Sequence, residues 1–164
     1  MLQVIIMSGV SGAGKDTWIK KFQETNPDVK TFVVSADSYF TTKDGVYNFN
    51  PSKLGEAHNA CIRDFIQHVR NYIEEDGVVF VNNTNTTSEE IAPYYAIASA
   101  YGAEVELVTV YALPHIAAKR NVHGVPEKGI QAMHDRIQAR KIPPFWNISC
   151  SDNLKEFAGY MGLG

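Results

Sequence analysis

The sequence predicts an α/β domain built on a single parallel sheet of about five strands, with helices packed on both of its faces. Three observations predict it. Short, mostly apolar runs at residues 2–7, 31–35, 78–81 and 104–110 have the length and composition of strands. Residues 2–7 are apolar but for Gln3, as expected of a strand buried on both faces of a parallel sheet. Helical patterns ten or more residues long stand between most of these runs, as crossovers between parallel strands require. With 164 residues the chain is the size of one domain, able to bury a core without disulfides or a structural metal, and no repeat, low-complexity tract or linker divides it.

Each element has its own signal. After the first strand and a glycine-rich loop, Trp18, Ile19 and Phe22 recur at helical spacing until Asn26-Pro27 stops the pattern. The second strand, 31–35, leads into a polar stretch that ends at Asn50-Pro51, an N-cap followed by a first helical residue. Leu54, Ala57, Cys61, Phe65, Val69 and Ile73 then make one apolar stripe down a long helix closed by Asp76-Gly77. The third strand is 78–81. Thr87 with Glu90 forms a capping-box signature and opens a helix to about Tyr101. The fourth strand, 104–110, precedes helical stretches near 114–121 and 126–141. A fifth strand is expected at 145–149, and Ser151 caps a last short helix that Gly162 stops.

Composition narrows the function. Cys61 and Cys150 stand far apart, outside any CxxC or Cys/His cluster, so neither a disulfide framework nor a zinc site is indicated. No apolar run approaches the roughly 18 residues that cross a bilayer, and residues 1–7 lack a basic flank and cleavage site, so a soluble, cytoplasmic protein with no membrane partner is expected. The net charge of −3 argues against a surface that coats duplex nucleic acid. Residues 119–141 nevertheless carry six cationic side chains against Glu127 and Asp135, a net +4 that leaves −7 for the rest. That asymmetry points to a local anion site. The pattern is silent on oligomeric state.

The anion is identified by a motif. Gly9-Val10-Ser11-Gly12-Ala13-Gly14-Lys15 matches GxxxxGK, and it sits after a buried strand and at the start of an amphipathic helix. Backbone N–H groups of such a loop, from Gly9 through Ser11, Gly12, Ala13 and Gly14, wrap phosphate oxygens, and the helix N-terminus adds its positive dipole end. Lys15 would reach the β- and γ-phosphates of ATP, with Mg²⁺ alongside. The expected architecture is therefore the P-loop NTPase fold, with the ligand at the strand C-terminal ends. The spacing GxxGxG excludes the dinucleotide fingerprint. The residue after Lys15, usually a Ser/Thr ligand to Mg²⁺, is Asp16, followed by Thr17. Two readings stand: Asp16 supplies charge at the metal, or it faces solvent while Thr17 and the nucleotide hold the ion through water.

Beyond this loop, Ser35-Ala36-Asp37-Ser38-Tyr39-Phe40, Tyr47-Asn48-Phe49-Asn50, Leu54-Gly55-Glu56-Ala57-His58, Asn82-Asn83-Thr84-Asn85 and Arg120-Asn121-Val122-His123-Gly124-Val125-Pro126 follow in order. With GVSGAGKDT they resemble the polynucleotide-kinase-like branch of P-loop kinases, which includes phage-type polynucleotide 5′-kinases and the kinase-like domain of NEDD4-binding proteins. The resemblance spans roughly residues 2–140 and implies one kinase domain over 1–164 with a helical lid at about 113–141. It implies that Asp37 is the general base on the acceptor hydroxyl and that Arg120, in the lid, closes over ATP. Asp37 read alone is a base beside the phosphate loop or a cap for the following turn. The family's arginine three positions after the base is Phe40 here; this residue with Tyr39, Tyr47 and Phe49 offers stacking surface for a base or packs the loop onto the core. Where relatives carry an aspartate after the third strand this chain has Asn82, so the acid near Mg²⁺ is expected to have moved to Asp16. No second lid arginine is evident, and Lys128 and Arg136 are either substitutes or a solvated helix face. His58 and His123 lack metal-ligand spacing and are expected to be ordinary hydrogen-bonding histidines.

The implied activity is transfer of the γ-phosphate of ATP to a 5′-hydroxyl of nucleic acid. Phe40 and the acidic overall charge favour the alternative of a nucleotide or a hydroxymethylated DNA base as acceptor. A non-catalytic NTP-binding module is the reading from another class, and Lys15, Asp37 and Arg120 together disfavour it, because binding alone needs no base beside the γ-phosphate.

Overall fold

The computed structural model of the chain describes residues 1–150, and the expected helix after Ser151 lies outside them. Five parallel strands form one sheet: β1 (Leu2–Ser8), β2 (Thr31–Val34), β3 (Gly77–Asn82), β4 (Glu104–Thr109) and β5 (Ile148–Cys150), in the order β2-β3-β1-β4-β5. All four pairings are parallel, with Val4 opposite Val79 on one side and Val105 on the other.

The helices are α1 (Lys15–Thr25), α2 (Leu54–Tyr72), α3 (Ser88–Ala100), α4 (Pro114–Arg120) and α5 (Glu127–Ala139). Because successive side chains of a strand point to opposite faces, β1 divides the core in two. Leu2, Val4 and Ile6 join Ala57, Cys61, Phe65 and Val69 of α2 and Ile91, Tyr94 and Ala98 of α3. Ile5 and Met7 join Ile19 of α1, Ala117 of α4 and Ile130 and Ile137 of α5. Both faces of the sheet are thus covered. Among the described residues no helix is long and apolar enough to cross a membrane.

Several expectations shift by a residue or a turn. Asn50 caps a short 3₁₀ turn, Pro51–Lys53, that runs into α2, and Leu54 at the head of the apolar stripe is exposed. Thr87 caps α3 by accepting from the Glu90 N–H, but the Glu90 carboxylate returns to the Thr86 N–H and hydroxyl instead of to Thr87. The fifth strand begins three residues later than expected. The Trp146 N–H donates to the Pro143 carbonyl, making a turn, and the Trp146 ring stacks on Tyr95, leaving only Ile148–Cys150 to pair with β4.

Candidate functional site

From β1 the chain crosses to β2 and β3 on one side and later to β4 and β5 on the other, so the crevice at the C-terminal end of β1 is the topological switch point. The glycine-rich loop lies there. The Gly9 N–H donates to the Thr84 carbonyl, tying the loop to the segment after β3, and the Ala13 N–H donates to the Val10 carbonyl. Gly12 has φ 83°, and a Cβ there would stand 2.2 Å from the Ala117 carbonyl oxygen, so only glycine lets α4 lie against the loop. Gly14 precedes α1, and no side chain caps that helix. The first N–H groups of α1 are therefore left for a ligand.

Lys15 lies half-buried under the loop, its Nζ donating to the carbonyls of Gly9 and Val10 at 2.9 Å each. Burial pushes its ammonium down to about 8, against the opposing pull of Asp16 and Asp37. A cation held short of full solvation is one that an arriving phosphate restores.

One cleft of about 240 Å³ gathers Ser11, Gly12, Gly14, Lys15, Asp16, Thr17, Asp37 and Arg120 with Asn82, Asn83, Thr84 and the lid turn 121–123. Gly9 and Ala13 do not line it. The Asn82 amide donates to Asp16 Oδ1 at 2.6 Å, so the end of β3 and the start of α1 are in direct contact. Asn82 Oδ1 is buried without a hydrogen-bond partner among the described residues. No group of three or more His, Cys, Asp or Glu side chains among the described residues is arranged to hold an ion by itself. The donor set, one carboxylate, one hydroxyl and one amide oxygen beside a phosphate cradle, suits a magnesium ion that keeps its waters and shares a nucleotide's phosphates.

Asp37 sits in a 3₁₀ turn, Ala36–Phe40, directly after β2. Ser35 caps this turn by accepting from the Asp37 N–H, and Asn83 Oδ1 accepts from the Ala36 N–H. The turn is too short for any periodic signal. Its carboxylate takes Tyr47 OH on Oδ1 at 3.3 Å and has His123 Nε2 at 3.5 Å from Oδ2. Burial, then Asp37, pushes the Tyr47 hydroxyl up to about 12.

Phe40 is buried and makes edge contacts with Tyr39, Tyr47 and Phe49. It belongs to the core and, at 7% exposure, shows only an edge to a groove of about 680 Å³ in which Tyr39 and Phe49 are exposed beside Asn48, Asn50 and Lys53. Arg136 donates to Thr86 Oγ1, and Arg140 donates to Ser8 Oγ, the Asn85 carbonyl and Thr109 Oγ1. Both hold α5 and its C-terminal end to the C-terminal side of the sheet, and neither they nor Lys128 line the cleft. His58 is exposed on α2. A site role for the Tyr47 hydroxyl or for His123 is not legible in the sequence, because their meeting at Asp37 joins segments far apart in the chain.

The family described as AAA domain (AAA_33) matches residues 4–140. Human NEDD4-binding protein 2 is 30% identical over 145 residues, which is 84% of this chain and 8% of that much longer protein. Among solved structures, the Mycobacterium tuberculosis APS kinase CysC in complex with AMPPNP and APS superposes with a TM-score of 0.58 at 15% identity, over 97% of this chain and 94% of that one. A chain of the Pnkp1/Rnl/Hen1 complex gives 0.56 at 18% identity, over 72% of this chain and 38% of that one. At such identities the likeness is one of fold. A match over residues 4–140, from the first strand to the end of α5, on a sheet with the phosphate loop at its switch point, shows that the chain belongs to the AAA domain family as a P-loop kinase-like domain.

Proposed function

We propose that this chain is an ATP-dependent polynucleotide 5′-hydroxyl kinase. The observation that carries the reading is one cleft lined by Lys15, Asp16 and Thr17 of the phosphate loop, by Arg120 of the lid and by Asp37, which follows β2. A phosphate-binding module alone has no use for a second carboxylate facing the cleft from the end of another strand, while in-line transfer needs a group that orients the attacking hydroxyl and takes its proton.

ATP would lie along the loop, its phosphates at the first N–H groups of α1 and at Lys15, with Mg²⁺ held by Asp16 and Thr17. The metal supplies charge neutralisation on the transferred group. Asp37 orients the acceptor O–H and accepts its proton, and Arg120 neutralises charge from the lid. On the acceptor side, the exposed rings of Tyr39 and Phe49 lean on the buried Phe40 and give a base a face to stack on. Lys53 lines the same groove. The burial of Phe40 where relatives carry a phosphate-gripping arginine favours a second reading, a nucleotide or a hydroxymethylated DNA base as acceptor.

Incubation with γ-labelled ATP and a panel of 5′-hydroxyl DNA, 5′-hydroxyl RNA, mononucleotides and hydroxymethylated DNA separates these. Label on the 5′-hydroxyl oligonucleotides is expected. Label on mononucleotides or hydroxymethylated DNA alone selects the second reading, and ATP binding with no label on any acceptor leaves only a nucleotide-binding module.

A further inference from the structure

We propose that His123 is a positioning residue for Asp37, so that the carboxylate is fixed for catalysis only when the lid stands over the cleft. The inference rests on the role given to Asp37 above. Three segments converge on this one carboxylate: the 3₁₀ turn after β2 that carries it, the following loop through Tyr47, and the lid turn between α4 and α5 through His123. Tyr47 OH is 3.3 Å from Oδ1 and His123 Nε2 is 3.5 Å from Oδ2, so each oxygen has its own neighbour. The rings of Tyr47 and His123 lie 4.5 Å apart, which couples the two neighbours to each other. Each carboxylate oxygen offers two lone pairs, so one is left on each for an acceptor hydroxyl.

The lid turn is built to hold the imidazole still. Asn121 Nδ2 donates to the carbonyls of Ala118 and Val125, and Asn121 Oδ1 accepts from the Val125 N–H, closing residues 121–125 into a braced loop. The base of that lid is in turn seated on the phosphate loop through Ala117 and Gly12. A carboxylate that is half exposed at 51%, held from the core side by the single contact with Tyr47, gains most from such a brace. The seating also makes the brace conditional on a closed lid.

The test uses wild type, His123→Phe, which keeps a ring against Tyr47 but no donor, His123→Gln, which keeps a donor at nearly the same reach, and Asp37→Asn. Transfer from γ-labelled ATP to a 5′-hydroxyl oligodeoxynucleotide is the activity probe. His123→Phe is expected to lower kcat about ten-fold while KM for ATP stays within two-fold, an effect in the range that small misplacements produce. His123→Gln is expected to recover most of the loss, and His123→Phe is expected to have no further effect on the Asp37→Asn background. A second readout needs no turnover: at fixed pH, Asp37→Asn is expected to shift the ring ¹⁵N resonances of His123 and to leave those of His58 in place. Full activity in His123→Phe, failure of the Gln variant to rescue, or an unmoved His123 resonance overturns the inference while leaving the kinase reading standing. Absence of transfer by wild type to any acceptor in the panel overturns the kinase reading and this role with it.

Discussion

Lys15 and Asp16 are adjacent in the chain and do opposite electrostatic work. Burial lowers the ammonium of Lys15 to about 8, below its ordinary 10.5. Because the folded value is the lower one, the charged lysine opposes folding below pH 8, and that cost fades as pH rises towards 10.5. Phosphate binding requires the charged form. Nucleotide affinity is therefore expected to weaken about two-fold between pH 7 and 8 and about ten-fold by pH 9, where roughly nine-tenths of a group titrating near 8 is neutral. Titration calorimetry with ATP at pH 7 and 9 checks this, and Lys15→Met should bind weakly with no such dependence. A wild-type affinity flat to pH 9 would remove Lys15 from the phosphate site. On the proposed reading Asp16 supplies the charge that Asn82 lacks, and their 2.6 Å contact makes the exchange testable. Asp16→Ser is expected to raise the Mg²⁺ concentration needed for half-maximal transfer, and adding Asn82→Asp is expected to lower it again. Asn82→Asp alone sets two carboxylates side by side and should weaken the metal-free fold, seen as a lower Tm in chelator that Mg²⁺ restores. An Mg²⁺ requirement unchanged in Asp16→Ser would make Asp16 a solvent-facing residue of the first helical turn.

At the scale of elements, the seat of α4 on the phosphate loop is the contact with most consequence. Gly12→Ala would combine a φ of 83° with a Cβ 2.2 Å from the Ala117 carbonyl, so α4 must move. Gly102 has φ 84° and nothing within 4 Å of its would-be Cβ, which makes Gly102→Ala a control for conformational strain alone. The control is expected to lose about 1–2 kcal/mol, a few degrees in Tm, and to keep nucleotide binding. Gly12→Ala is expected to lose more and to bind ATP poorly, and equal behaviour of the two variants would show that α4 does not depend on this seat. The same elements show where sequence reading stops. The stripe in α2 was legible because 19 residues at helical spacing leave little choice of face, and Ala57, Cys61, Phe65 and Val69 are all buried. The run at residues 2–7 was legible because a strand buried on both faces is nearly all apolar. Phe145 and Trp146 read as strand by composition, but Pro143 and the stacking of Trp146 on Tyr95 put a turn there. Arg140 at Ser8 and Thr109, and His123 at Asp37, were not legible because strand order brings these partners together, and local propensity carries no information about it.

For the molecule as a whole, the distribution of charge decides how a nucleic acid end would be held. The chain is acidic overall, and residues 119–141 carry a net +4. The structure divides those cations. Arg136 and Arg140 are committed to Thr86 and to the ends of β1 and β4, so of the basic side chains in 119–141 only Arg120 lines the cleft, together with Lys15 from the loop. Lys53 is the cation lining the groove of Tyr39 and Phe49. A protein that recognises an end by stacking, with so few cations near it, releases few counterions on binding. Each neutralised phosphate of a single strand contributes about −0.7 to the slope of log K against log salt, so two or three contacts give a slope between about −1.4 and −2. Fluorescence anisotropy with a labelled single-stranded 5′-hydroxyl DNA between 50 and 300 mM KCl measures it, and lengthening the strand beyond the first few nucleotides should add little affinity. Tyr39→Ala and Phe49→Ala should weaken binding without changing the slope, because stacking carries no counterion term, at a cost of about 1–3 kcal/mol each. A slope steeper than about −4, or affinity that climbs steadily with strand length, would mean that a wide basic surface tracks the backbone, and an end held in the Tyr39–Phe49 groove would no longer describe how this chain takes its acceptor.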